Sequence, residues 1–153
     1  MTAQATAGAL REIPQPVAAP LTRAAIFLVV TVNPEADNDG SVRAFCADRG
    51  DGLCNVFVPH ATAGVAIIET GAGSDDDLID TLERLLPRDD RYRHSHGAPG
   101  HGADHVLPAI VSPSVTVPVQ SGKPLLGTWQ SVVLVDLNRD NPRRSVRFSF
   151  VNG

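Results

Sequence analysis

Cysteine is scarce in this 153-residue chain, an excess of positive charge is absent, and no apolar run approaches the ~20 residues needed to span a bilayer. The two cysteines, Cys46 and Cys54, lack metal-ligand spacing and sit among apolar neighbours, which predicts reduced core thiols rather than a disulfide or redox pair. A formal net charge of -4 gives no electrostatic reason to expect nucleic acid as a partner. Without an apolar span, no membrane partner is expected. The opening MTAQATAGALREIPQP has neither the basic start nor the apolar centre of a signal peptide, so the expected location is cytoplasmic. Length and composition suit one globular domain, which at this size buries roughly 70% of its unfolded surface.

Residues 1–22 are rich in Ala, Gln and Pro without periodicity and read as a flexible arm, mobile or loosely docked, ahead of a domain over 23–153. The β-branched run RAAIFLVVTVN, Arg23 to Asn33, predicts a buried strand. Val42, Phe45 and Cys46 fall at helical spacing, with Asp39 as N-cap and Gly50 suited to a left-handed C-terminal position. GLCNVFVPH and GVAIIET read as two strands of a hairpin turning through ATAG, with His60 at the turn. SDDDLIDTLERLLP predicts a helix capped by Ser74, with Leu78, Ile79, Leu82, Leu85 and Leu86 on one face and an end at Pro87. Its acidic start, Asp75 to Asp77, complements the helix dipole, a commoner role than cation binding. SVTVPVQ, a turn at SGK, PLLGTWQ and two alternating strands, SVVLVDLN and SVRFSFVNG, complete the chain. Helices set between strand pairs, followed by a run of strands, predict an α+β fold with two to three helices.

Chemistry-bearing side chains concentrate in HSHGAPGHGADH, His94 to His105, which holds four of the five histidines; the fifth is His60. Neutral imidazole suits zinc and similar metals. His94 and His96 share a face in an extended segment, and His101 and His105 share one on a helix, but neither pair matches a strict zinc motif. The bland alternative is a solvated Gly/Pro loop. Glu69 ends an apolar strand and suits either a general base or a solvent-facing strand end. Arg143 and Arg144, near a hairpin expected between the last two strands, offer planar forks for phosphate, although charges on a strand edge more often discourage aggregation. Trp129, the single tryptophan, is more commonly a core side chain than a stacking platform, with Gly127 and Thr128 shaping the turn before it. Thr62 serves equally as a ligand contact or a turn hydroxyl.

The ordered set HATAGVAIIE, DTLERLLP, YRH, ADH and LLGTWQSVVLVD resembles the YjbQ-like family, also called the secondary thiamine-phosphate synthase family, over residues 23–151. The resemblance implies a single domain in which an antiparallel, β-sandwich-like layer joins the helices, and a homotrimer. Carried over by position, it gives His60, His94 and His105 as a metal-linked set, with zinc as the expected divalent ion. Glu69 and Arg144 become catalytic residues, and Thr62, Trp129 and Gln130 contact a small phosphorylated molecule. His96 and His101 have no counterpart in the family pattern and fall to the loop. Asp80 also matches. Thr70 replaces an asparagine, and Leu107 with Pro108 replaces a basic-then-small pair; that proline is tolerable only near a helix's first turn.

The implied activity is a weak thiamine-phosphate synthase reaction, joining a pyrimidine diphosphate to a thiazole phosphate with release of diphosphate. The alternatives are a metal-dependent hydrolase with Glu69 as base, and a non-catalytic trimer that binds a metal or small ligand.

Overall fold

The computed structural model describes residues 5–14, 30–31, 42–89, 91–94, 96–138 and 143–153. In chain order these form β1 (Ala5–Pro14), β2 (Val30–Thr31), α1 (Val42–Cys46), β3 (Gly52–Phe57), β4 (Ala63–Glu69), α2 (Ser74–Leu85), α3 (His101–Asp104), α4 (Leu107–Ile110), β5 (Ser114–Gln120), β6 (Lys123–Pro124), β7 (Gln130–Asp136) and β8 (Arg143–Asn152). A five-stranded sheet has the order β1-β8-β3-β5-β6 and a three-stranded sheet the order β2-β7-β4, with every pairing antiparallel. The fold is α+β. Part of the expected arm, Ala5–Pro14, pairs with β8; most of the strand predicted over 23–33, and the predicted cap Asp39, lie outside the described residues. No described helix is long and apolar enough to cross a membrane.

Two cores define three layers. Cys54 and Val56 of β3, Val117 and Val119 of β5, and Val146, Phe148 and Phe150 of β8 face Val65 of β4 and Val132 and Leu134 of β7, with Val42 and Cys46 of α1 closing one side. On the other face of the small sheet, Val133 and Val135 meet Leu82, Leu86, Ala103 and Leu107 of the helical layer. Strand β8 therefore alternates, whereas β7 buries both faces and is apolar at every position from Val132 to Val135. Burying one side chain such as Phe148 contributes about 1.5–3 kcal/mol.

Two expected hairpins are corrected. Strands β3 and β4 do not pair: β3 joins β5 and β8, while β4 joins β7 in the other sheet. Strands β7 and β8 also lie in different sheets, so neither strand pair is a hairpin within a sheet. The alternative pairing wins because each strand can then present an apolar face to the shared core. The SGK turn does form, through Ser121 and Gly122, both at positive φ, and joins β5 to β6.

Cys46 and Cys54 are free and buried, and burial pushes both thiols above their ordinary pKa. Helix α2 begins at Ser74, but its cap is Gly73, and no side chain caps it. Leu82 and Leu86 are buried with Leu78 packed beside them, while Leu85, at the margin of the stripe, is exposed. Pro108 sits in the first turn of α4, where its missing N–H costs nothing.

The segment before β5 ties the sheets together: Val58 N–H donates to Pro113 O at 2.9 Å and Val65 N–H to Ser112 O at 2.7 Å. This approach requires glycine at position 64, because a Cβ there would lie 2.2 Å from Val111 O. Gly64→Ala is expected to destabilise the fold by about 1–3 kcal/mol through forced backbone displacement. Chemical denaturation measures this, and an unchanged midpoint would contradict the packing.

Candidate metal centre

Pro87 follows the end of α2, and the next helix, α3, is a single turn. Four-residue spacing on that turn brings the Nε2 atoms of His101 and His105 to 2.8 Å. Upstream, His94 and His96 are two residues apart, with ring centroids at 4.0 Å. The pairs face one another, with His94–His105 centroids at 4.1 Å and His96–His101 at 5.3 Å. One ligand nitrogen from each of the four lies within 4.8 Å of the others. His101 is buried, His105 half-buried, and His94 and His96 are exposed. A cavity of about 320 Å³ opens beside them, lined in part by Tyr92, His94, His96 and His101.

The backbone permits this convergence only because residue 102 is glycine. A Cβ there would stand 2.4 Å from Tyr92 Cβ and 3.1 Å from His94 O, so a larger residue would push the His94 segment off α3. Beneath the rings, Asp104 is fully buried, with Oδ2 3.6 Å from His101 Nδ1 and Oδ1 paired with Arg88. Arg88 also donates to Leu137 O at 3.0 Å, tying the loop to the end of β7. Burial pushes the Asp104 carboxyl upward in pKa, opposed by the Arg88 hydrogen bond and charge. Desolvation holds His105 below the ordinary histidine value, assisted by His94, His101 and His96; His94 is lowered by desolvation, His96 and His101. Both shifts favour neutral imidazole, the ligating form.

The expected set of His60, His94 and His105 is thereby divided. His94 and His105 meet, but they meet His96 and His101. His60 lies instead in the connection between β3 and β4, where its Nε2 accepts the Ser145 N–H at 3.0 Å. The reason is the sheet crossover, which brings His60 to the start of β8. Nearby, Arg144 and Asp136 form a buried ion pair, Asp136 Oδ1 accepts the Asn138 N–H at 2.9 Å, and Asn138 Nδ2 donates to Thr62 Oγ1 at 3.4 Å. Burial raises the Asp136 pKa against these partners, and His60 is lowered by desolvation and then by the Arg144 charge.

Of the remaining expected site residues, Glu69 and Gln130 are register partners on β4 and β7, with Trp129 beside Gln130 in the chain. Glu69 is exposed at the end of β4, opposite Gln130 on β7, and Asp80 is exposed on α2. Gln130 Oε1 accepts the Gly127 N–H at 2.8 Å, which closes the GTWQ turn. Trp129 is 73% exposed, so its commoner role as a core side chain is overturned: the turn projects it away from both cores. Arg88 and Asp104 are not singled out by the sequence. Their signals are the place of Asp104 within ADH and its position three residues after His101, a spacing that puts both on neighbouring positions of a helical turn.

The family model described as "UPF0047 protein YjbQ-like" matches residues 36–153. The chain belongs to that family. It is 80% identical over 117 residues to a UPF0047 protein of Mycobacterium tuberculosis, covering 76% of this chain and 88% of the relative. A UPF0047 protein of Archaeoglobus fulgidus is 33% identical over 101 residues, 66% of this chain and 79% of the relative. Among solved structures, a hypothetical protein of Aeropyrum pernix superposes with TM-score 0.75 at 24% identity, covering 97% of this chain and all 100% of the other. A YbjQ-like protein of unknown function from Sulfolobus solfataricus gives 0.74 at 18% identity, covering 99% and 100%. These two likenesses establish a shared fold.

His60 supplies a pH test away from the cluster. Only the neutral ring accepts the Ser145 N–H, and the folded pKa is depressed, so its contribution is present above about 6.5 and declines as pH falls through the folded value. His60→Ala is expected to destabilise the protein by about 1–3 kcal/mol at pH 7.5 by leaving that donor unpaired. Denaturation of both metal-free proteins down to pH 5 should show the difference shrinking, and a constant or widening gap would refute the assignment.

Proposed function

We propose that this chain is a divalent-metal-binding member of its family, with His94, His96, His101 and His105 as ligands and zinc as the best-suited ion. The convergence of four imidazole nitrogens within 4.8 Å carries this reading. A tetrahedral zinc site with bonds of about 2.0–2.1 Å has ligand nitrogens about 3.3 Å apart, so small ring movements would complete it. Neutral imidazole also accommodates copper and nickel, which makes availability part of the selection. Four protein ligands would close a tetrahedral shell and leave no position for water, which favours a non-catalytic ion over a hydrolase.

A weak thiamine-phosphate synthase activity on a small phosphorylated substrate is the enzymatic reading that accompanies family membership. In that reading the ion would act on the departing diphosphate through its charge alone, since four protein ligands leave it no open position, and exposed Glu69 and Trp129 are available to a ligand. The burial of Arg144 against Asp136 favours an indirect part for it over a direct grip on phosphate. The assembly carried with this proposal is a homotrimer.

Metal analysis of the purified protein after zinc supplementation should find about one ion per chain. Alanine at any of the four cluster histidines is expected to weaken binding at least about tenfold, and His60→Ala to leave it intact. A metal-free wild type, or loss only in His60→Ala, would overturn the proposal. Light scattering at micromolar concentration should give three times the chain mass, with a concentration-independent monomer as the contrary result. Product formation from pyrimidine diphosphate and thiazole phosphate, lost in Glu69→Gln, would support the synthase reading; no turnover by the zinc-loaded trimer would exclude it.

A further inference from the structure

We propose that Asp104 is the positioning residue of the metal centre, fixing the His101 ring so that Nδ1 carries the proton and Nε2 presents its lone pair to the ion. This rests on reading the four histidines as ligands, but it concerns a residue outside that set. Asp104 is fully buried, which is costly for a carboxylate unless it is paired or hydrogen-bonded. One oxygen is taken by Arg88; the other lies 3.6 Å from His101 Nδ1, a few tenths of an ångström beyond ordinary hydrogen-bond length. His101 is itself 7% exposed, so Asp104 Oδ2 meets that nitrogen in a site with little competing water.

Proton placement follows from this contact. A carboxylate only accepts, so it favours the tautomer with hydrogen on Nδ1 and leaves Nε2 free to donate electrons to a metal. With the proton on His101 Nδ1, the 2.8 Å contact between the two Nε2 atoms has His105 as donor and His101 as acceptor. To ligate through Nε2, His105 would exchange its Nε2 proton for one on Nδ1 through solvent, so that the ring stays neutral. The two nitrogens must also separate by roughly 0.5 Å to reach tetrahedral spacing. Arg88 plays a different part: its charge offsets part of the carboxylate's and so competes with His101 for Asp104, while its hydrogen bond to Leu137 O serves the stability of the fold.

The two partners of the ion pair therefore make opposite contributions, which a purely structural pair would not. Asp104→Asn is expected to weaken zinc binding by about 10- to 100-fold, measured in competition with a chromophoric chelator. Arg88→Gln, which leaves the carboxylate to His101 alone, should hold zinc as tightly as wild type or more tightly while lowering the melting temperature of the metal-free protein. Cobalt(II) loaded into Asp104→Asn should retain the wild-type tetrahedral absorption bands, because the ligand set is unchanged. Equal zinc affinity in Asp104→Asn and wild type would overturn the inference and leave the metal site standing. Parallel losses in both variants would reduce Asp104 to a structural partner of Arg88, and altered cobalt bands would make it a ligand. Failure of wild type to bind zinc or cobalt would overturn the metal reading itself.

Discussion

The burial of β7 on both faces is the constraint on which the rest of the molecule depends. Val132 and Leu134 enter the core between the sheets, and Val133 and Val135 enter the core beneath the helices, so one short strand belongs to both. Its backbone groups pair with β4 and β2, which keeps polar groups satisfied where no water reaches them. A polar residue at any of these four positions would enter one apolar layer or the other.

The C-terminal end of the same strand anchors both polar regions. Asp136 pairs with buried Arg144 on β8 on the His60 side, and Leu137 O accepts from Arg88 on the side of the four histidines. Arg88 in turn pairs with Asp104 under His101. Isolated buried charges would be strongly unfavourable, and paired ones contribute less to net stability than to fixing where their segments lie. Here they hold a Gly/Pro-rich loop and a sheet crossover to one rigid strand end.

Glycine contributes by absence of bulk at two close approaches. Gly64 lets β4 pass against Val111 O, and Gly102 lets α3 sit against Tyr92 and the carbonyl of His94. The first belongs to the fold and the second to the cluster, and neither need is visible in the local conformational preferences of the flanking residues.

Local physics alone determined much of this protein. The α+β class, helix α2, the reduced core cysteines, the Ser121–Gly122 turn and the placement of Pro108 follow from periodicity and turn chemistry, which act over a few residues. Spacing likewise made His94 with His96, and His101 with His105, into neighbouring pairs. Only the tertiary structure decided that those pairs face one another, that His60 is hydrogen-bonded to β8 instead, and that Asp104 and Arg88 lie beneath the rings. It also chose sheet crossovers over the two apparent hairpins and turned Trp129 outward. Strand pairing and side-chain convergence join residues far apart in the chain, such as His60 with Ser145 and Arg88 with Leu137, and depend on which apolar faces are buried together. Nothing in the neighbourhood of His60 or Arg88 in the sequence encodes that partner.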